Sequence, residues 1–234
     1  MSELWVVRHG QASAGSSNYD QLSALGVEQC RTLGRYLARE GRGGFDAIYV
    51  GPRQRHRQTE EALLEVMGSV GRLARHELVE LDEYPFLALF RSARDVLLRL
   101  PETRRAIERF EAGQARPADY RVLLEAVGRF WARDELALPA GVEPCEAFRA
   151  RIDAAIAQMR RIGRGKRAIV STSAGAVAAI AGHAMNLSAE AMIDLSFRVR
   201  NSSVTRLLFD ERRISLLTFN ELPHIEEARL ETFF

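Results

Sequence analysis

The chain has 234 residues, 47% of them hydrophobic and 27% charged, with a formal net charge of +2. That length suits one large domain, and the composition is that of an ordinary globular protein. The small net charge gives no footprint for nucleic acid or an anionic membrane, and no apolar run approaches the roughly 20 residues of a membrane span. Nearly every cation is arginine, Lys166 being the single lysine. Arginine suits bidentate recognition of oxyanions, but genome composition is the preferred cause of the bias. Cys30 and Cys145 lie far apart without metal-ligand spacing and read as reduced thiols. Met1 leads straight into a strand signal with no signal-peptide pattern, so a cytoplasmic location is expected.

In chain order, strand signals fall at "LWVV" (4–7), "AIYV" (47–50), "ELVEL" (77–81), "AIVST" (168–172), "SVTRLLF" (203–209) and "ISLLTF" (214–219). The first four are mostly apolar throughout, as in strands covered on both faces. Ser23 is placed to cap a helix toward Arg39, ended by Gly41, Gly43 and Gly44; Pro52 can open a second through "RQRHRQTEEALLEVMG". Between Tyr84 and about Arg164 the strand signal disappears and helical stretches at 92–112, 118–133 and 143–162 follow one another, broken by prolines. The tight polar connection "DERR" joins the last two strands as an antiparallel hairpin. The expectation is one α/β domain over 1–234. It is a three-layer αβα sandwich around a mostly parallel sheet of six strands with an antiparallel edge, and a helical lid is inserted at about 84–164.

Ligands of open α/β sheets bind beyond the carboxyl ends of the strands. Arg8, His9 and Gly10 follow the first strand, and "GPRQRHRQT" follows the second with Arg53, Arg55, His56 and Arg57. Glu80, Asp82 and Glu83 sit at the third, and "STSAGA" opens a helix after the fourth. Arginine forks and a helix N-terminus suit a phosphoryl group. Imidazole is a competent nucleophile toward phosphorus, and a carboxylic acid can protonate the leaving oxygen.

With these segments in order, the chain resembles the histidine phosphatase superfamily, the phosphoglycerate-mutase-like fold. "RHG" matches its nucleophile motif. Leu22, Ser23, Gly26 and Gln29 match its "LS/T-x-x-G-x-x-Q" segment, and Pro52, Arg55, Gln58 and Thr59 its "SP-x-x-R-A-x-Q-T-A" segment. "NSSVTRL" and "FNELPHI" are similar to its closing strands. The resemblance implies a metal- and cofactor-independent phosphatase acting on a small phosphorylated metabolite. His9 is then the nucleophile that becomes phosphorylated, Arg8 and Arg55 the phosphoryl clamp, and Glu80 the proton donor, with Glu83 as the alternative. Gly10, Gln11, Asn18, Ser13 and the amide of Ala174 would line the substrate side; Gln11 stands where relatives often carry an acidic residue.

One departure matters. Where the family has a second histidine in an "S-H-G-G" turn, this chain reads "TSAG", with Ser173 in the histidine's place. Serine can donate one neutral hydrogen bond but carries no charge. A sub-branch of the family resembles this chain in having "TSGG" there. His56 could supply the missing imidazole, yet as the neighbour of Arg55 on a helix it is expected to point elsewhere. Three alternatives follow: a phosphoanion-binding protein with weak or lost turnover, a mutase-type phosphotransferase, and a serine hydrolase. The last would use Ser173, Asp194 and His224 in the chain order of α/β-hydrolase triads.

Overall fold

The computed structural model describes residues 1–13, 20–40, 44–68 and 72–233. A six-stranded sheet has the order β3-β2-β4-β1-β5-β6. β1 (Ser2–Arg8), β2 (Ala47–Val50), β3 (Ala74–Glu77) and β4 (Arg167–Thr172) run parallel, and β5 (Val204–Phe209) and β6 (Ile214–Glu221) form the antiparallel edge. Side chains alternate between the two faces. On β1, Leu4 and Val6 enter one core while Trp5 and Val7 enter another. Both faces are therefore packed, which is why the central strands are apolar throughout.

α1 (Ala24–Glu40) and α2 (Gln54–Met67) cover the Trp5 face, through Leu33, Leu37, Leu63 and Leu64. Ser23 caps the first of these, its Oγ accepting from the Gly26 N–H at 3.0 Å. The other face carries α3 (Phe86–Leu97), α4 (Pro101–Glu111), α5 (Pro117–Ala132), α6 (Cys145–Met159), α7 (Ala174–Met185) and α8 (Ala189–Ser196). Among the described residues, no helix is long and apolar enough to cross a membrane.

Three sequence expectations change. The helix read over 92–112 is two, because Pro101 lacks an N–H and sits at the first position of α4. α8 carried no clear signal; it is short and held by the Ser188 cap. The strand read over 77–81 ends at Glu77, and Val79–Leu81 form a 3-10 turn. β3 is an exposed edge of four residues, paired on one side to β2. After Leu78 bonds the Val50 carbonyl, the chain turns back on itself to bury Leu81. That turn decides where the acidic residues behind it point.

Candidate active site

β1 delivers His9 one residue past its end. The His9 N–H still joins the β4 ladder, donating to the Thr172 carbonyl at 2.8 Å, and the His9 carbonyl accepts from the Ser202 N–H at 3.2 Å. Its backbone is thus fixed from both sides. Gly10 then passes under the start of α1: a Cβ there would stand 2.3 Å from the Gly26 carbonyl oxygen, so only glycine fits. The Gly10 N–H donates to Thr59 Oγ1 at 3.2 Å, tying the turn to α2.

The His9 ring is 5% exposed. Nδ1 lies 2.6 Å from the Gly10 carbonyl. A carbonyl only accepts, so Nδ1 carries the proton and the Nε2 lone pair is left for chemistry. Burial, then the charges of Arg55 and Arg8 and the neighbouring His56, hold the imidazole well below its ordinary pKa. His9 is therefore neutral near pH 7, the form a nucleophile requires.

Arg8 and Arg55 are near enough for their charges to act on this ring. Arg8 Nη1 donates to the Val199 carbonyl. Arg55 is 7% exposed and splits its fork, Nη1 donating to Asp20 Oδ1 at 2.7 Å and Nη2 to Ser173 Oγ at 3.1 Å. Its Nε is buried with no hydrogen-bond partner among the described residues, and so keeps a donor in reserve. Arg53 and Arg57 do not join the site; they pair with Asp82 and Glu77.

Ser173 is the N-cap of α7, yet its side chain makes no capping bond. The hydroxyl is held instead by Arg55 and by His56, whose Nε2 lies 2.7 Å away. The expectation that His56 points elsewhere is therefore wrong. At the start of α2, consecutive residues both reach the end of β4, and the His56 ring stands 5.8 Å from that of His9.

The carboxylate expectation also changes. Glu80 sits in the 3-10 turn with Oε1 accepting from Gln158 of α6 at 2.9 Å. It is held by the helical block, and no hydrogen bond or ion pair joins it to His9, Arg8 or Arg55 among the described residues. Glu83 lies instead at the N-terminus of α7. Its Oε2 accepts from the Gly175 N–H at 3.0 Å, and it feels the charges of Arg55 and Arg8. Burial nevertheless raises its pKa above the ordinary carboxylate value. A carboxyl group whose pKa burial raises is suited to give a proton to an anionic leaving group.

The remaining calls fall as follows. Gln11 accepts from Ser23 Oγ at 3.0 Å and Ser13 donates to the Leu22 carbonyl at 3.0 Å, both half-buried beside the site. Ala174 opens α7 next to Ser173. Asn18 lies outside the described residues. The serine-hydrolase triad is not assembled: Asp194 pairs with Arg129 at the surface and His224 bonds Ser202, while Ser173 meets Arg55 and His56. Asp20, which positions Arg55 and also accepts from the Gln54 N–H, was missed; a lone aspartate in a loop gives no periodic or motif signal. Among the described residues, no cluster of three or more His, Cys, Asp or Glu is arranged to hold a metal.

The model of the histidine phosphatase superfamily (branch 1) matches residues 4–118 and 105–222. The chain belongs to the histidine phosphatase superfamily. Solved structures agree on the fold. The alpha-ribazole phosphatase of Shigella flexneri superposes with a TM-score of 0.63 at 20% identity, covering 94% of this chain and 96% of that one. A phosphoserine phosphatase mutant from Entamoeba histolytica, in complex with phosphoserine, gives 0.63 at 15% identity, covering 96% and 100%. A Bacillus anthracis phosphoglycerate mutase gives 0.62 at 17%, covering 95% and 94%. At these identities the likeness concerns the fold alone. No curated protein matches the sequence. Within the superfamily fold, the residues that converge here are His9, Arg8, Arg55, Glu83, Ser173 and His56.

Proposed function

We propose that the chain is a metal-independent phosphomonoesterase that works through a phosphohistidine on His9 and acts on a small phosphorylated metabolite. The observation that carries the reading is the tautomer of His9, with Nδ1–H bound to the Gly10 carbonyl, Nε2 in no hydrogen bond among the described residues, and the ring within the field of Arg55 and Arg8. In the first step the Nε2 lone pair forms a bond to phosphorus while the ester P–O bond breaks. The leaving alkoxide takes the Glu83 proton. Arg8 and Arg55 neutralise the equatorial oxygens, where charge-assisted forks are strongest. In the second step Glu83, now a carboxylate, takes a proton from water as that water attacks phosphorus. The N–P bond breaks, its electrons return to Nε2, and inorganic phosphate leaves.

Two neighbouring structures support the substrate class: an Entamoeba histolytica phosphoserine phosphatase is described in complex with phosphoserine and with 3-phosphoglyceric acid. The 2.7 Å contact between Ser173 and His56 is the feature that would suit a seryl nucleophile instead. Arg55 donating into the same oxygen argues against it, because a hydroxyl oxygen receiving cationic donors is a poor attacking group. The test is hydrolysis of an aryl phosphate by the wild type and by His9→Ala. The proposal expects turnover only in the wild type. Phosphate binding without turnover in either protein would favour a binding protein, and phosphate transfer to a second metabolite in preference to water would favour a mutase.

A further inference from the structure

The mechanism above gives His56 no part. It is fully buried, and its ring has room only because residue 51 is glycine: a Cβ there would fall 2.3 Å from Nδ1. The Gly51 backbone acts on the ring as a weak hydrogen-bond partner, raising its pKa, although Nδ1 makes no hydrogen bond of full geometry among the described residues. The aligned partner is Ser173 Oγ, 2.7 Å from Nε2. If the neutral imidazole carries its proton on Nε2, that N–H donates to Ser173. Arg55 Nη2 donates to the same oxygen at 3.1 Å. Two donors fill both lone pairs of Oγ, and the hydroxyl proton must then point away from them.

The geometry points to His56 as a positioning residue that turns the Ser173 O–H outward, toward an oxygen of a phosphoryl group bound between Arg8 and Arg55. An imidazole after Arg55 and a hydroxyl at 173 together supply one preorganised donor that neither gives alone. The inference rests on the phosphohistidine reading for its substrate, and it adds a role that reading does not require. Arg55 by itself would leave the hydroxyl free to rotate about its second lone pair; His56 removes that freedom.

The experiment compares aryl phosphate hydrolysis by His56→Leu, His56→Gln, Ser173→Ala and the double variant His56→Leu/Ser173→Ala, together with the 15N imidazole shifts of His56 in the wild type. Loss of one preorganised donor is worth roughly 100-fold in rate at the low end. His56→Leu is expected to lower kcat by about that factor with KM changed much less. His56→Gln, which keeps an N–H near the Nε2 position, retains most of the rate. The double variant is no slower than Ser173→Ala, and the 15N shifts place the proton on Nε2. The inference is overturned if His56→Leu costs the same factor in the Ser173→Ala background, if His56→Leu matches the wild type, or if the proton sits on Nδ1. The 15N measurement needs no turnover, so it decides the matter even if the His9 reading fails, and a poorly folded leucine variant leaves the glutamine variant and the spectrum to decide.

Discussion

A paired substitution on α7 tests the placement of Glu83 through two glycines of one helix. At Gly175 an added Cβ would stand 2.1 Å from Glu83 Oε1 and 2.5 Å from the Tyr84 ring, far inside van der Waals contact. Glu83 cannot swing away freely: Oε2 is bound to the Gly175 N–H and Oε1 to its neighbour's N–H on Tyr84, both at 3.0 Å. Forcing a methyl into such a site costs about 1–3 kcal/mol, and losing a hydrogen bond to a charged group about 1.5–3 kcal/mol. Gly175→Ala should therefore destabilise by roughly 3 kcal/mol, which for a domain of this size is about 6–12 °C in Tm. Its kcat should fall on the order of 100-fold, since the displaced carboxyl no longer meets the leaving oxygen. At Gly182, two turns on, the same methyl meets Met192 and Leu187 at 3.4 Å or more, ordinary contact. Gly182→Ala should gain about 0.5–1 kcal/mol of helix propensity and leave kcat unchanged. Thermal unfolding and aryl phosphate turnover of both variants check this. Equal Tm and kcat for the two would refute the placement of Glu83 against the α7 N-terminus.

Four further outcomes follow. Glu83→Gln removes the proton donor, so cleavage of alkyl phosphates should fall by about 10²- to 10⁴-fold; an aryl phosphate with a good leaving group should still give a burst, followed by slow breakdown of the phosphoenzyme. Glu80→Gln, by contrast, should leave both rates unchanged. Arg55→Lys keeps the charge but loses the fork to Asp20 and Ser173, and should lower kcat/KM by about 10- to 150-fold, the worth of a charge-assisted bond. His224 is buried, which holds its pKa down to about 4; the unfolded value is near 6.5. A depressed folded pKa means stability is complete above about 6.5 and is lost as pH falls toward 4, by up to about 3 kcal/mol. His224→Gln, keeping a partner for Ser202, should flatten that acid limb in chemical denaturation.

The parts legible in the sequence were those with a local cause. "RHG" after an apolar run placed His9 and Arg8 correctly because the strand period and the strand-end rule fix where the next residues emerge. Arg55 was legible from its offset to Pro52. Which glutamate meets the N-terminus of α7 was not, because Glu80 and Glu83 differ by one turn of chain. Choosing between them required knowing that β3 stops at Glu77 and that the backbone then coils, which depends on Leu81 finding the core. His56 failed for a related reason. Adjacent helical residues ordinarily diverge by about 100°, but at the first turn of α2 both side chains reach the Ser173 hydroxyl. Ser173 stands at the N-cap position of α7 yet spends its hydroxyl on Arg55 and His56.

The most direct test of the account is the chemistry of the phosphoenzyme. The protein is mixed with an aryl phosphate, quenched, and its intact mass and phosphopeptides are determined after acid and after base treatment. The account predicts one phosphoryl group, lost in acid and stable in base, on His9, and absent from His9→Ala. An acid-stable phosphoryl group on Ser173, or undiminished turnover by His9→Ala, would contradict it.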